Sequence, residues 1–255
     1  MVTIRKAVFM RLNNKIAIVT GGSRGIGADI ANELATNGAE VIIVYRTRDD
    51  KACEVIEGIK SMGYKAHMYK CDVSNFNEVK KFTEEIIEKF GEVDILVNNA
   101  GISEIGMLID MEEETWDSIS NTNLKSVFNM CKHIGRHMMW NKGGSIINIS
   151  SIWGEVGASC EVAYSATKGG INAFTRAFGK ELASSGVRVN GISPGVINTE
   201  MNRWMTPEEE QELQDEIPMG RFGEGSEIGK IAVFLSSEDS SYMTGQILRA
   251  DGGML

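Results

Sequence analysis

The sequence is thin in the side chains that hold metals and cross-links. Four cysteines, Cys53, Cys71, Cys131 and Cys160, are spread along 255 residues with no CxxC pair. That spacing argues against a disulfide framework or a zinc ribbon, and for free, reduced thiols in a cytoplasmic protein. Histidines number three. His133 and His137 stand four apart on one face of an expected helix, but Ile134-Gly135-Arg136 between them lacks the glutamate of HExxH. No metal site is expected. Nor is there an apolar run of the ~20 residues a bilayer crossing needs. Positive charge is short too: the net charge is −9 and the pI about 5.0. Nucleic acid and anionic membrane are therefore not expected partners. Residues 1–11 are positively charged but lack a long apolar stretch and a small-residue cleavage site. They read as an N-terminal extension rather than a signal peptide.

What the chain does contain is an alternating pattern. Apolar residues make up 42% and charged residues 24%, enough for one large core. Ile16–Val19 is a short apolar run that ends in the turn TGGSRGIG. Ile26, Ile30 and Leu34 then share a helical stripe that stops at Asn37-Gly38. Val41–Val44 is a second apolar run, of the kind buried on both faces of a parallel sheet. A polar helix over about 48–62, a strand in AHMYKCDVS, a helix over 75–90 and a strand in VDILVNNAG follow. A long helix is expected over 113–139, a strand in GSIINISS, and a helix from near Tyr164 to about Ser185. VRVNGISPG and GQILRADGG supply the sixth and seventh strands. This pattern predicts an α/β fold over residues 12–255: a single-domain, Rossmann-type, doubly wound and mostly parallel seven-stranded sheet, with helices on both faces.

Gly21, Gly25 and Gly27 have the spacing GxxxGxG, between a strand and a helix. Glycines there permit a tight turn and close approach of a pyrophosphate, and the helix N-terminus offers N–H groups to it. The plainer alternative is an ordinary strand-to-helix turn. At the end of the second strand an NAD site wants an acid for the ribose 2′-hydroxyl. Here stand Tyr45-Arg46-Thr47-Arg48, with no carboxylate before Asp49. Arg46, helped by Arg24, suits a 2′-phosphate, so NADP(H) is favoured over NAD(H).

The segment YSATK puts Tyr164 and Lys168 on one helical face, four residues apart. An adjacent ammonium is expected to lower the tyrosine pKa, so that Tyr164 passes a proton near neutral pH. Ser150 and Ser151 end the preceding strand, and the hydroxyl of either is placed to hydrogen-bond a carbonyl oxygen as charge builds on it. By itself a YxxxK segment is also common on surface helices.

Together these motifs resemble the short-chain dehydrogenase/reductase family over about residues 12–255. The glycine turn is Thr20–Gly27, NNAG is Asn98–Gly101, NTNLK carries Asn123, and the PG pair is Pro194-Gly195. The resemblance implies that Ser151 polarises the substrate carbonyl and that Tyr164 is the acid/base. Lys168 would bind the nicotinamide ribose and tune Tyr164, and Asn123 would help hold a water in a proton relay. For the cofactor it implies Gly21, Ser23, Arg24, Gly25, Ile26 and Gly27 at the phosphates and Asp72 and Val73 at the adenine. Asn99, Ala100 and Gly101 would line the cofactor path, with Pro194, Gly195, Ile197 and Thr199 toward the carboxamide end.

Within that family the chain looks most like the bacterial 3-oxoacyl-[acyl-carrier-protein] reductases, in stretches such as IINISSIWG and YMTGQILRADGGM. NADPH-dependent reduction of a 3-oxoacyl thioester is the expected reaction. The alternatives are a dehydrogenase of another secondary alcohol (hydroxysteroid, sugar or polyol), or a non-catalytic nucleotide-binding regulator. Ser103-Glu104-Ile105 after NNAGI departs from the reductases' usual Thr-Arg-Asp. An acidic carrier protein would dock on basic residues, for which Arg136 and Lys180 are candidates. A substrate lid is expected over about 199–220, where Met201, Trp204, Met205 and Met219, with Trp153, offer apolar walls. Those same side chains equally suit plain helix packing. The resemblance also implies a homotetramer of two-fold symmetry built from the long helices and the last strand.

Overall fold

In the computed structural model, residues 10–200 and 205–255 are described. Seven strands form one sheet in the order β3-β2-β1-β4-β5-β6-β7. They are β1 (Ile16–Thr20), β2 (Glu40–Tyr45), β3 (Ala66–Lys70), β4 (Ile95–Asn98), β5 (Gly144–Ile149), β6 (Val187–Pro194) and β7 (Ile247–Ala250). Every neighbouring pair is parallel. Expected as mostly parallel, the sheet is parallel throughout. That follows from its connections, because a parallel neighbour needs a crossover, and helices supply it. Between β1 and β4 the chain changes direction across the sheet, so their carboxyl ends open side by side.

Alternate residues of each strand face opposite layers. Ala17 and Val19 join Ile30 and Leu34 of α1 (Gly25–Thr36), Ile56 of α2 (Asp49–Ser61) and Ile228 of the last helix in one core. Ile18 and Leu96 join Phe82 of α3 (Phe76–Phe90), Ile134 and Ile171 in the other. β2 is buried on both faces, which is why its sequence is a continuous apolar run.

The long helix expected over 113–139 runs from Glu113 to Asn141 and is not uniform. This helix, α4, comprises Glu113–Ser120, a π turn at Asn121–Lys125, Ser126–Met130, a second π turn at Cys131–Gly135, and Arg136–Asn141. Such wide turns frequently mark functional positions. The first contains Asn123, which is fully buried. The second contains His133, its ring tilted against Phe76 with centroids 5.1 Å apart, and His137 beyond it accepts from the Val93 N–H at 3.3 Å.

A short helix α5 (Trp153–Val156) precedes α6 (Val162–Leu182). α7 (Pro207–Asp215) lies in the acidic part of the expected lid, started by a Thr206/Glu209 capping box with Pro207 in its first turn. None of its residues is buried. Beyond it Ile217 and Phe222 are buried anchors. Met205 is partly buried and Met219 is 63% exposed, while Met201 and Trp204 lie outside the described residues. α8 (Gly225–Ser236) packs on α1. Three of these helices escaped the sequence reading. α5 is a single turn, α7 was taken as lid without helix, and α8 opens on glycines.

α6 crosses the loop before β7 at Gly179, where a Cβ would lie 2.8 Å from the Gly245 backbone nitrogen. Backbone cannot rotate away, so Gly179→Ala should cost about 1–3 kcal/mol. A lowered urea midpoint with unchanged slope would show it.

Candidate active site

The chain leaves β1 at Thr20 and turns through Gly21 at φ +64° and Gly25 at φ +53°, in the left-handed region open to glycine. A Cβ on Gly27 would lie 2.3 Å from the Gly21 carbonyl oxygen. The turn is clasped to β4. Thr20 Oγ1 accepts from the N–H groups of Asn99 (3.0 Å) and Ala100 (3.1 Å). Asn99 Nδ2 donates to the carbonyls of Thr20 (3.0 Å) and Gly21 (3.2 Å). At the start of α1 Arg24 caps no N–H with its side chain, and the first turn holds no acid. The orphan N–H groups there suit an anion. A cradle that a Cβ would fill, beside an uncapped helix start, fits a dinucleotide pyrophosphate. Ser23 is partly exposed in that turn, while Ile26 packs into the core and leaves only its backbone available. Thr199 stands across the turn, its Cγ2 3.7 Å from where a Gly25 Cβ would be. Ile197 is buried and bridges to Gly223. The Pro194 carbonyl accepts from Ile152 N–H at 3.1 Å, and Gly195 N–H donates to Ala250 at 2.9 Å.

At the β2 end Arg46 lies 3.8 Å from Asp72, and Arg24 lies 3.6 Å from Glu200. Both arginine side chains are more than half exposed, so these pairs hold them loosely. Asp49 is engaged elsewhere, by Lys70 at 3.1 Å and by the Tyr45 hydroxyl. Asp72 also accepts from the Ser74 hydroxyl at 2.7 Å, and the buried Val73 accepts from Asn129 at 2.9 Å. The Arg46 side of the cleft thus carries two exposed cations, each in a long ion pair.

The reacting end forms where β5, α4 and α6 converge. Ser150 and Ser151 take different roles. Ser150 Oγ donates to the Lys168 carbonyl at 3.1 Å and is buried in α6's support. Ser151 lies beside the Tyr164 phenol, where its hydroxyl favours the phenolate. Ser151 Oγ also accepts from the Trp153 N–H at 3.2 Å. Lys168 is buried, its Nζ 5.3 Å from the Tyr164 ring centroid and donating to the Ile149 carbonyl at 2.8 Å. Asn123 binds both backbone groups of Ile102, accepting at 2.8 Å and donating at 2.9 Å, and donates to Thr167 at 3.1 Å. A Cβ on Gly101 would sit 3.4 Å from Asn123 Oδ1 and 3.6 Å from Lys168 Nζ. The four catalytic candidates are therefore brought together.

Sequence reasoning did not single out Thr20, Thr167 or Gly154. A Cβ on Gly154 would lie 2.6 Å from the Lys168 carbonyl carbon, so glycine lets the turn carrying Ser151 press on α6. Asn172, one turn beyond Lys168, donates to the Gly154 carbonyl at 3.2 Å. Hydroxyls flanking recognised motifs were the only signal for the threonines.

One expectation is corrected. Lys168 was to lower the Tyr164 pKa, yet burial pushes the phenol up to about 12. The Ser151 hydroxyl opposes that rise and the Glu161 carboxylate adds to it. Lys168 is itself driven down to about 8 by burial. Withdrawal of both groups from water outweighs an ammonium whose proton is turned to a carbonyl. The signs give a stability profile. Between pH 8 and 10.5 only the unfolded chain holds the lysine proton, so stability rises with pH across that window. Above pH 10 only the folded protein holds the tyrosine proton, and stability falls. Relative to Lys168→Met, the wild-type protein should gain up to about 3 kcal/mol from pH 8 to 10. Denaturant unfolding of both proteins across that range checks it.

Comparison with known proteins agrees with this geometry. A family model described as enoyl-(acyl carrier protein) reductase matches residues 21–255. The chain is 40% identical to the 3-oxoacyl-[acyl-carrier-protein] reductase FabG of Staphylococcus epidermidis over 241 residues, covering 94% of this chain and 99% of the relative. It is 36% identical to the FabG of Thermotoga maritima, covering 96% of this chain and all of that one. Among solved structures, an Agrobacterium tumefaciens protein crystallised as a candidate gluconate dehydrogenase superposes with a TM-score of 0.93 at 34% identity, covering 96% of this chain and 98% of its own. A Sinorhizobium meliloti protein, crystallised as a candidate short-chain alcohol dehydrogenase, gives 0.91 at 39% identity, covering 96% and 98%. With its parallel sheet, its clasped glycine turn and its Ser151–Tyr164–Lys168 cluster, the chain belongs to the short-chain dehydrogenase/reductase family and is an oxidoreductase of the nicotinamide-dependent kind.

Proposed function

We propose that the protein reduces a 3-oxoacyl thioester, carried by acyl carrier protein, to the 3-hydroxy product with NADPH. The observation that carries the reading is the cluster of Ser151 and Tyr164 around buried Lys168, whose Nζ lies 5.3 Å from the tyrosine ring, in a chain whose reductase relatives match it over nearly their whole length. When bound, the nicotinamide supplies the hydride. The chain's own residues do the rest. Ser151 turns its hydroxyl to the carbonyl oxygen and stabilises the charge that develops there. Tyr164 holds its proton at neutral pH and donates it as general acid to that oxygen, which becomes more basic than a phenolate as charge builds on it. Lys168, mostly protonated at pH 7, lies under the tyrosine ring and offers N–H donors to the ribose hydroxyls. Asn123 braces Ile102 against Thr167, keeping the far wall of the cleft in place.

The loosely held Arg46 and Arg24, with no free acid at the end of β2, support NADPH over NADH. Arg136, stacked 4.4 Å from the Trp140 ring, and the exposed Lys180 are the proposed contacts for the acidic carrier protein. Residues 12–255 act as one catalytic domain with a lid over about 199–220, the protein assembles as a homotetramer, and it works in the cytoplasm. Among the described residues no helix is long and apolar enough to cross a membrane. The second reading, a dehydrogenase of a sugar or polyol, draws on the likeness to the candidate gluconate dehydrogenase.

Absorbance at the nicotinamide band, with acetoacetyl thioester as substrate, tests the reading. Turnover is expected with NADPH and at least tenfold less with NADH, with Arg46→Ala narrowing that preference. Tyr164→Phe should lower kcat by about 100-fold or more while NADPH binding stays within about threefold. Clear cofactor binding without thioester turnover would discard the acyl substrate. Unchanged turnover in Tyr164→Phe would discard the mechanism.

A further inference from the structure

Glu161 occupies the N-cap of α6, the position from which a side chain ordinarily bonds the first N–H groups of its helix. It makes no such bond. Its Oε1 instead accepts from the Ser103 hydroxyl at 2.6 Å, across the cleft. A backbone bond from Gly106 N–H to the Cys160 carbonyl, 2.8 Å, fastens the same two segments. Ser103 follows Gly101 by two residues, and Gly101 flanks Asn123 and Lys168. Glu161 precedes Tyr164 by three residues, and its charge is felt at the Tyr164 hydroxyl. Both partners are only partly exposed. The rim of the cleft beside the reacting carbonyl is thus a fixed hydroxyl–carboxylate pair.

That carboxylate is underused. It has about four acceptor positions, and among the described residues Ser103 is the one hydrogen-bond donor that reaches it. None of the ion pairs among those residues includes Glu161. A half-buried carboxylate with spare lone pairs favours a neutral donor beside it and disfavours a second anion.

The geometry points to Glu161, held in place by Ser103, as a specificity-determining residue. It accepts a hydrogen bond from a neutral donor on the arm of the substrate that extends past the reacting carbonyl, such as an amide N–H or a hydroxyl, and it disfavours a carboxylate on that arm. This inference rests on carbonyl reduction at Ser151 and Tyr164, and not on any one acyl chain. It also gives the Ser103-Glu104-Ile105 departure in sequence a role: a small hydroxyl at 103 reaches Glu161 and sets its direction.

The test is a ratio. kcat/KM for NADPH-dependent reduction is measured with the N-acetylcysteamine thioester of acetoacetate, which carries an amide N–H, and with acetoacetate, which carries a carboxylate. The wild-type protein should favour the neutral thioester. Glu161→Gln, which keeps the shape and removes the charge, should lower that ratio by about tenfold or more. Glu161→Asp, which keeps the charge, should retain the rejection of acetoacetate, and Ser103→Ala should weaken the thioester by about threefold or more. A ratio in Glu161→Gln within twofold of the wild type overturns the inference while leaving the reductase reading intact. Failure of the wild-type protein to reduce either ketone overturns both.

Discussion

Everything in this protein hangs on the clasp between the ends of β1 and β4. Two adjacent parallel strands leave the sheet there in opposite topological directions, and their exits must part to admit a ligand without separating. Thr20 and Asn99 hold them. One hydroxyl takes two backbone N–H groups, and one amide gives two bonds to carbonyls of the glycine turn. Buried polar groups of this kind stabilise little on balance but are costly to leave unmade, so the clasp enforces one geometry. Gly27 matters for the same reason: the space for any side chain is already taken by Gly21 and Asn99.

The reacting end obeys a different constraint. Tyr164 and Lys168 are displayed by α6, but their positions are set by β5, whose terminal carbonyl at Ile149 takes the ammonium and whose following serines divide the work. Burial drives the two pKa values apart, the tyrosine up to about 12 and the lysine down to about 8. Both groups are therefore held in their protonated forms at neutral pH, ready to donate. Such perturbed pairs in a cleft are characteristic of working sites. The desolvation of Lys168 is the stability the fold gives up to have it there.

Much of this was legible in the linear chain. Apolar runs such as Val41–Val44 announce strands covered on both faces, and the stripe of Val79, Phe82 and Ile86 announces a helix that buries one side. Local patterns reveal such elements because burial acts at the period of the element. The π turns of α4 were not legible, since no residue type marks them; the first carries Asn123 between Ile102 and Thr167. α8 was missed because its glycines, poor helix formers by propensity, are there for close contact with Asp29 and Glu33 of α1. Tertiary packing overrode the local signal.

By itself the sequence determined the order of the seven strands, the long helices between the first six, and the glycine turn, because these depend on residue type and spacing; its family resemblance pointed to Asn123, Ser151, Tyr164 and Lys168. Only the tertiary structure gave Ser150 its own task on the Lys168 carbonyl, reversed the expected shift of Tyr164, and turned Glu161 from its own helix toward Ser103. The reason is physical. Spacing says which groups can meet, whereas pKa values and hydrogen-bond partners depend on how much water is removed and which other segment arrives, and both are set by contacts distant in the chain.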